Sequence, residues 1–240
     1  MDNSIYITLS RQLGVFRDLE VTANNIANMN TPGYQAEKLM FSDYLVQDKK
    51  QKDAYANDPT SWRDTTPGSI RSTGNPFDLA ISGPNAYFQI QTPLGVRYTR
   101  TGSFQMNGDG TLVTAQGYPV LGNDGGEIAI PENARDIRIN GGGQILADGE
   151  DIGQVGIMEF ANEKAMRRMG NQLLQSDENP LPSETARVVQ GSVEAANVSP
   201  VTEMVRVMEL TRSTTSTAKF IEVMYDLQRK TASTYARQQS

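Results

Sequence analysis

The sequence predicts an α+β fold: long N- and C-terminal helices paired as an α-helical coiled coil, with a central all-β domain of short strands and extended connectors. The two ends of the chain carry apolar residues at helical spacing, whereas the middle alternates polar and apolar residues between frequent glycines. Two long amphipathic helices cannot both bury their apolar stripes alone. We therefore expect them to pair with each other and to pack on neighbouring chains.

The N-terminal helix is predicted within residues 1–33. Its apolar stripe recurs at steps of three and four residues. The stripe consists of Ile5, Leu9, Gln12 or Leu13, Phe16, Leu19, Ala23 and Ile26. Pro32 ends the pattern, because proline cannot continue a helix and disfavours helical backbone in the residue before it.

The C-terminal helix is predicted over residues 198–240, with Ser199 as its N-cap and Pro200 in its first turn. Its stripe has heptad-like spacing. The stripe consists of Val201, Met204, Met208, Thr211, Thr215, Ala218, Ile221 and Tyr225. In residues 211–217 every residue except Arg212 is Ser or Thr, and both types are mediocre helix formers. The stripe continues through them without Gly or Pro, so we predict a helix there and the tightest helix–helix contact of the chain.

The middle of the chain predicts a β domain over residues 68–160, of the barrel or sandwich type. Hairpin signals separate its short apolar runs, as at Asn107–Gly110 and Asn123–Gly126. The flanking segments 34–67 and 161–197 are rich in polar residues and proline, and they are interpreted as extended connectors.

Composition argues against most catalytic and cofactor chemistry. The chain has no histidine and no cysteine, which are the commonest general base and the commonest soft metal ligands. We expect no enzymatic activity, no cofactor and no metal.

The formal net charge is -6 without long basic runs, so nucleic acid is not expected as a partner. No apolar run is long enough to span a membrane. Two alternatives from other classes stay open. One is a hydrolase acting on carbohydrate or peptidoglycan through an acidic pair such as Asp148 and Glu150, and the other is an adhesin-like binding module that uses the β domain.

Four stretches resemble the flagellar rod and hook protein family, in the family's order. They are Ala23–Tyr34 (ANNIANMNTPGY), Thr73–Ile81 (TGNPFDLAI), Arg97–Val113 and Gln190–Met204 (QGSVEAANVSPVTEM). Within the family, Ile5–Gln12 resembles the opening of the proximal-rod members. A distal-rod or hook-type subunit of the same family is the alternative.

The resemblance implies a structural subunit that is exported through the flagellar type III apparatus without a cleaved signal peptide. Such proteins polymerise in the periplasm, with copies of themselves and with other proximal and distal rod subunits, into a helical shaft that transmits motor torque to the hook. Their terminal helices line the core of that shaft. The subunit-interface residues predicted from the two stripes and the asparagine motif are Leu9, Phe16, Ala23, Asn24, Asn25, Ile26, Asn28, Val201, Met204, Met208, Thr211, Thr215, Ala218 and Ile221.

Overall fold

The structure is a computed structural model that describes residues 2–40, 43–48, 51–56, 60–131 and 133–238. Side-chain burial is described for residues 8–40, 61–131, 133–227, 229–230 and 233, so the prediction for Ile5 lies outside it. The chain divides into two compact units. The first comprises Met1–Ala27, Glu37–Trp62 and Ser199–Ser240, and the second comprises Asn28–Ala36 and Arg63–Val198.

The described residues of the first unit form both terminal helices and four short strands, except that Arg63, the last residue of β4, belongs to the second unit. The helices are α1 (Asp2–Ala27) and α2 (Pro200–Gln238), and the strands are β1 (Glu37–Met40), β2 (Asp43–Asp48), β3 (Gln51–Ala56) and β4 (Thr60–Arg63). Strand β1 pairs with β4, and β2 forms an antiparallel hairpin with β3. The start of α2 is the one predicted: Pro200 is its first residue, and the Glu203 N–H donates to the carbonyl of Ser199 at 3.0 Å.

The predicted coiled coil is wrong. Helices α1 and α2 are in contact, but the apolar stripes predicted to join them are largely exposed, and no coiled coil is present in the described part of the chain. The half-buried positions of α2 lie mostly one residue before the predicted stripe. They include Glu203, Val207, Leu210, Thr214, Thr217, Ile221 and Met224. None of the α2 residues whose burial is described is fully buried.

The reason lies in the inward face of α1, which is polar and small. Its buried residues are Gly14, Asp18, Thr22 and Asn25, at the steps of three and four that define one helix face. Coiled coils need apolar side chains inserted between the helices, and none of these four buried residues carries an apolar side chain.

The described residues of the second unit form fifteen short strands. They are β5 (Ile70–Ser72), β6 (Leu79–Ser82), β7 (Ala86–Thr92), β8 (Gly95–Thr99), β9 (Phe104–Met106), β10 (Leu112–Thr114), β11 (Ile137–Ile139), β12 (Gln144–Ala147), β13 (Glu150–Gln154), β14 (Ile157–Glu159), β15 (Arg167–Arg168), β16 (Leu174–Gln175), β17 (Leu181–Pro182), β18 (Arg187–Gln190) and β19 (Ser192–Glu194). A central β domain is therefore present, but the segments interpreted as extended connectors also carry strands, β1–β4 and β15–β19.

The largest sheet has the order β15-β16-β8-β7-β14-β17. A three-stranded sheet β11-β12-β13 and the antiparallel pairs β9–β10, β6–β18 and β5–β19 complete the unit. The sequence Asn107–Gly110 forms the turn between β9 and β10, as the hairpin signal predicted.

Strand β7 is buried on both faces and separates two apolar cores. Phe88 and Ile90 belong to the larger core, whereas Tyr87 belongs to the smaller one, because side chains alternate between the two faces of a strand. The larger core contains Leu79, Ile81, Phe104, Leu112, Val120, Ile145, Val155 and Val188 among others. The smaller core consists of Tyr87, Tyr98, Met158, Phe160, Met166 and Leu174.

Candidate subunit interface

The inward face of α1 binds the chain that follows it through Asn25. The Asn25 amide donates to the carbonyl of Glu37 at 2.9 Å, and its Oδ1 accepts the N–H of Glu37 at 2.9 Å. A single side chain thus satisfies both polar groups of one residue of β1, as a neighbouring strand would. The asparagine motif therefore has a role inside its own subunit.

Among the described residues, an ion pair joins α1 to α2. The Arg206 guanidinium donates from Nε to Asp18 Oδ1 at 3.2 Å and from Nη2 to Oδ2 at 3.0 Å. Asp18 is buried and Arg206 is half-exposed. Two parallel hydrogen bonds fix both distance and direction, so this pair sets the register of the two helices.

The outward face of α1 is apolar. Leu9, Leu13 and Phe16 lie at steps of four and three residues and are 43–62% exposed. At 100° per residue they lie opposite Gly14, Asp18 and the other inward residues. The polar face of the helix thus contacts α2 and β1 within the first unit, whereas these three apolar side chains are exposed.

Helix α2 carries two outward apolar patches. The first consists of Val201, Met204, Val205 and Met208, and the second of Phe220, Val223 and Leu227. Their side chains are 48–73% exposed. Contiguous exposed apolar surface of this kind marks a binding surface in soluble proteins.

The Ser- and Thr-rich segment between the patches is helical, as predicted. Thr211, Thr214 and Thr215 each donate their hydroxyl to the carbonyl four residues earlier, at 2.7–2.9 Å. These bonds satisfy the hydroxyls without water, which explains how a run of weak helix formers stays in a helix. The tight helix–helix contact predicted for the segment stays a prediction.

The predicted interface residues fall into three groups. The exposed ones are Leu9, Phe16, Ala23, Asn24, Val201, Met204, Met208, Thr211, Thr215 and Ala218. Ile26, Asn28 and Ile221 are half-buried, and Asn25 is buried. Five further exposed apolar side chains are absent from the predicted interface: Leu13, Val205, Phe220, Val223 and Leu227. The i, i+3, i+7 spacing of the last three was a usable signal.

In the second unit, Asn197 plays a part similar to that of Asn25. Its Oδ1 accepts the N–H of Ala36 at 2.6 Å, and its amide donates to the carbonyls of Asp64 and Thr66, each at 2.9 Å. It therefore ties three distant chain segments together. Asn197 lies within the family-like stretch Gln190–Met204, but no sequence pattern indicates its role.

The same unit contains a buried ion pair that sequence analysis missed. Arg100 Nε donates to Glu194 Oε2 at 2.5 Å, and both side chains are at most 3% exposed. The other carboxylate oxygen of Glu194 accepts the N–H of Gly68 at 2.9 Å. Arg100 also donates to the carbonyls of Ala86, Ile81 and Gly83. Because the partners are 94 residues apart, no local pattern signals this pair.

The acidic pair weighed for hydrolase chemistry lies in a turn. Asp148 has positive φ, and its carboxylate accepts the N–H groups of Arg135 and Asp136 at 2.9–3.3 Å. Glu150 is exposed at the start of β13. This geometry gives Asp148 a role in holding the turn.

Comparison with known proteins decides the family. Residues 80–147 match the flagellar hook protein FlgE/F/G D1 domain, residues 189–234 match the flagellar basal body rod FlgEFG protein C-terminal family, and residues 17–35 match the flagella basal body rod protein family. The flagellar basal-body rod protein FlgF of Caulobacter vibrioides is 35% identical over 95% of this chain and 96% of its own length. The chain belongs to the flagellar basal-body rod protein family.

Other members of the family agree. FlgF of Mesorhizobium japonicum is 33% identical over 91% of each chain, and FlgG of Bacillus subtilis is 32% identical over 92% of this chain and 94% of its own. The resemblance predicted from the sequence is confirmed, and the chain is a structural subunit of the flagellar basal-body rod. Among the described residues, neither α1 nor α2 is both long enough and apolar enough to cross a membrane.

Proposed function

We propose that this rod subunit polymerises through the outward apolar faces of α1 and α2, and that the polymer is a helical shaft carrying motor torque to the hook. The observation that carries the proposal is the exposure of Leu9, Leu13 and Phe16 on α1 and of the two patches on α2. Burying such side chains stabilises an association by about 25 cal/mol for each Å² of apolar surface removed from water.

The partners in this proposal are copies of the same chain and other proximal and distal rod subunits. Similarity to FlgF proteins, together with the opening Ile5–Gln12, favours a place in the proximal rod. The chain reaches the periplasm through the type III export apparatus without a cleaved signal peptide. It acts as a scaffold and not as an enzyme.

The predicted interface residues keep their proposed role in this scheme, with two changes. Asn25 and the half-buried Ile26 support their own subunit, and Leu13, Val205, Phe220, Val223 and Leu227 join the interface. Thr215 and Ala218 remain proposed contact positions because their small side chains let helices approach closely.

Substitution of Phe16 or Met208 with Asp tests the proposal. Both side chains are exposed in the isolated subunit, so the monomer should keep its circular dichroism and melting temperature. Assembly should fail, because a carboxylate buried without a partner costs several kcal/mol. Motility and co-sedimentation with basal bodies provide the measurement.

Thr202→Asp is the matched control, since Thr202 is exposed in the first turn of α2, on a different face from Met208. An acidic residue there also suits the helix dipole. Normal motility of the Phe16→Asp and Met208→Asp variants would refute the proposed interface.

A further inference from the structure

The outward faces of α1 and α2 share one interval between an apolar and a charged side chain. On α1, Leu9 and Glu20 are eleven residues apart, and on α2, Arg212 and Val223 are eleven residues apart. Eleven residues make about three helical turns, so the two members of each pair lie on one line along their helix. All four side chains are exposed. Each line therefore has an apolar end and a charged end, and the two charges are opposite in sign.

The residues between these ends also match when the helices run in opposite directions. Setting the two apolar ends opposite each other brings Phe16 beside Ser216 and places Leu13 between Lys219 and Phe220. A large ring then meets a small side chain, which lets the helix axes approach closely. The aliphatic stem of Lys219 and the ring of Phe220 both offer apolar surface to Leu13.

Within one subunit, α1 and α2 run antiparallel. Asp18 meets Arg206, and the half-buried positions of α2 extend from Glu203 to Met224. Most of these positions lie beyond Arg206. Only the part of α1 before Asp18 is long enough to cover them, because α1 ends at Ala27. The helices therefore lie side by side in opposite directions.

A helical polymer keeps this relationship between its copies. Helical symmetry rotates and shifts each copy but preserves the inclination of every helix to the axis. Helix α1 of one copy consequently runs antiparallel to α2 of the next. Leu9 and Glu20 would also match Val201 and Arg212, which are eleven residues apart, but only if the helices ran parallel. The shared direction of the copies excludes that pairing.

We infer that residues 212–223 of a second copy of this chain cover the outward face of α1, in an antiparallel register that places Glu20 beside Arg212. The inference rests on the polymer proposed above and adds the partner and the register of the α1 face. The contact joins two different surfaces, so it repeats from copy to copy and forms a ring or an open helix.

The monomer leaves Glu20 available for this contact. Arg17 donates to Glu20 at 3.5 Å, but the two side chains are 62% and 70% exposed. An exposed pair of this kind contributes little to stability. A carboxylate also has two oxygens, so Glu20 can accept Arg212 of the neighbouring copy in addition to Arg17.

Introduced cysteines test the register directly, because the chain has no cysteine of its own. Basal bodies from motile cells that produce the Leu9→Cys/Val223→Cys chain are oxidised and analysed by denaturing electrophoresis. A ladder of covalent multimers of this chain is expected, since each copy offers one cysteine to each of two neighbours. Leu9→Cys/Arg212→Cys is the matched control. It should give no ladder, because its second cysteine lies about three turns from the position opposite Leu9 and a disulfide needs close Cα atoms.

Charge reversal tests the ion pair. Glu20→Arg alone and Arg212→Glu alone should each lower the amount of this chain in basal bodies on the order of tenfold, because like charges then meet at the contact. The double variant should restore the amount. Co-production of the two single variants should restore it as well, since every contact between unlike copies regains one positive and one negative charge.

A ladder from Leu9→Cys/Arg212→Cys in place of Leu9→Cys/Val223→Cys would overturn the register, and so would a double charge variant that assembles no better than the single ones. Should Leu9→Cys/Val223→Cys not assemble, Leu13→Cys/Phe220→Cys joins the same two faces one turn further along and decides. These failures are distinguishable from failure of the proposed polymer, because Phe16→Asp would still abolish assembly if only the register were wrong.

Discussion

Asn25 and Glu37 are joined by two hydrogen bonds of 2.9 Å, one to the carbonyl and one from the N–H of Glu37. The side chain of a helix residue thereby occupies the place of a strand neighbour. Since Asn25 is 2% exposed, no water can replace it easily.

Replacing Asn25 with Ala should therefore destabilise the first unit by about 1–3 kcal/mol for each backbone group left without a partner. Chemical denaturation measures the loss, and amide hydrogen exchange at Glu37 should rise with it. Arg11→Ala, at an exposed position of the same helix, is the control and should change little. An equal loss of unfolding free energy in both variants would show that the hydrogen bonds to Glu37 do not stabilise the first unit.

Gly33 should not tolerate a side chain. Its φ is +69°, and an added Cβ would lie 2.5 Å from the Arg100 carbonyl carbon and from the Thr101 nitrogen, which are backbone atoms. Gly74 has φ +77° but open space around it. Gly33→Ala should thus cost about 1–3 kcal/mol more than Gly74→Ala, because it adds overpacking to the same backbone strain. Similar melting temperatures for the two variants would contradict the close approach.

Breaking the Arg100–Glu194 pair from one side should cost about 3–5 kcal/mol, since it leaves a buried charge without its partner. Urea denaturation of Arg100→Met, Glu194→Leu and the double variant measures this. The double variant should lose less than the sum of the single losses, because it leaves neither charge alone. Additive losses would indicate that the two groups are not coupled.

The exposed pair Arg138–Asp136 serves as comparison, and Arg138→Met should cost no more than about 1 kcal/mol.

Stability should fall in strong alkali because of Tyr87. Burial raises the pKa of the Tyr87 phenol to about 12, and its hydrogen bond to Glu163 acts in the same direction. Above the unfolded pKa of about 10, the unfolded chain loses this proton while the folded chain keeps it, so stability declines as pH rises from about 10 to about 12. The decline amounts to about 2–3 kcal/mol.

Urea unfolding at pH 9 and pH 11.5 measures this decline. Tyr87→Phe should be less stable at pH 9, because Glu163 loses a hydrogen bond, but should show a smaller decline. An identical pH dependence in both proteins would rule out Tyr87 as its source.

Much of the architecture could be predicted because its signals are local. Pro200 after Ser199 marked the start of α2, Asn107–Gly110 marked a hairpin, and the unbroken spacing through Thr211 and Thr215 indicated a helix in spite of low propensity. The four family-like stretches were sufficient to predict the family. Strand pairing was not predictable, since β5 pairs with β19 and β6 with β18 across more than a hundred residues of chain.

The candidate interface shows where the sequence stopped being sufficient. Periodicity determined that residues such as Leu9, Phe16 and Met208 share helix faces, and it predicted that those faces pair within the chain. Only the tertiary structure decided that α1 turns Gly14, Asp18 and Asn25 inward. The spacing of apolar residues predicts that a helix face will be buried. It does not predict whether the same subunit or another one buries that face. Hydrogen bonds from Arg206 to Asp18 and between Asn25 and Glu37 fix which face of α1 is buried. These partners are brought together only by the fold as a whole.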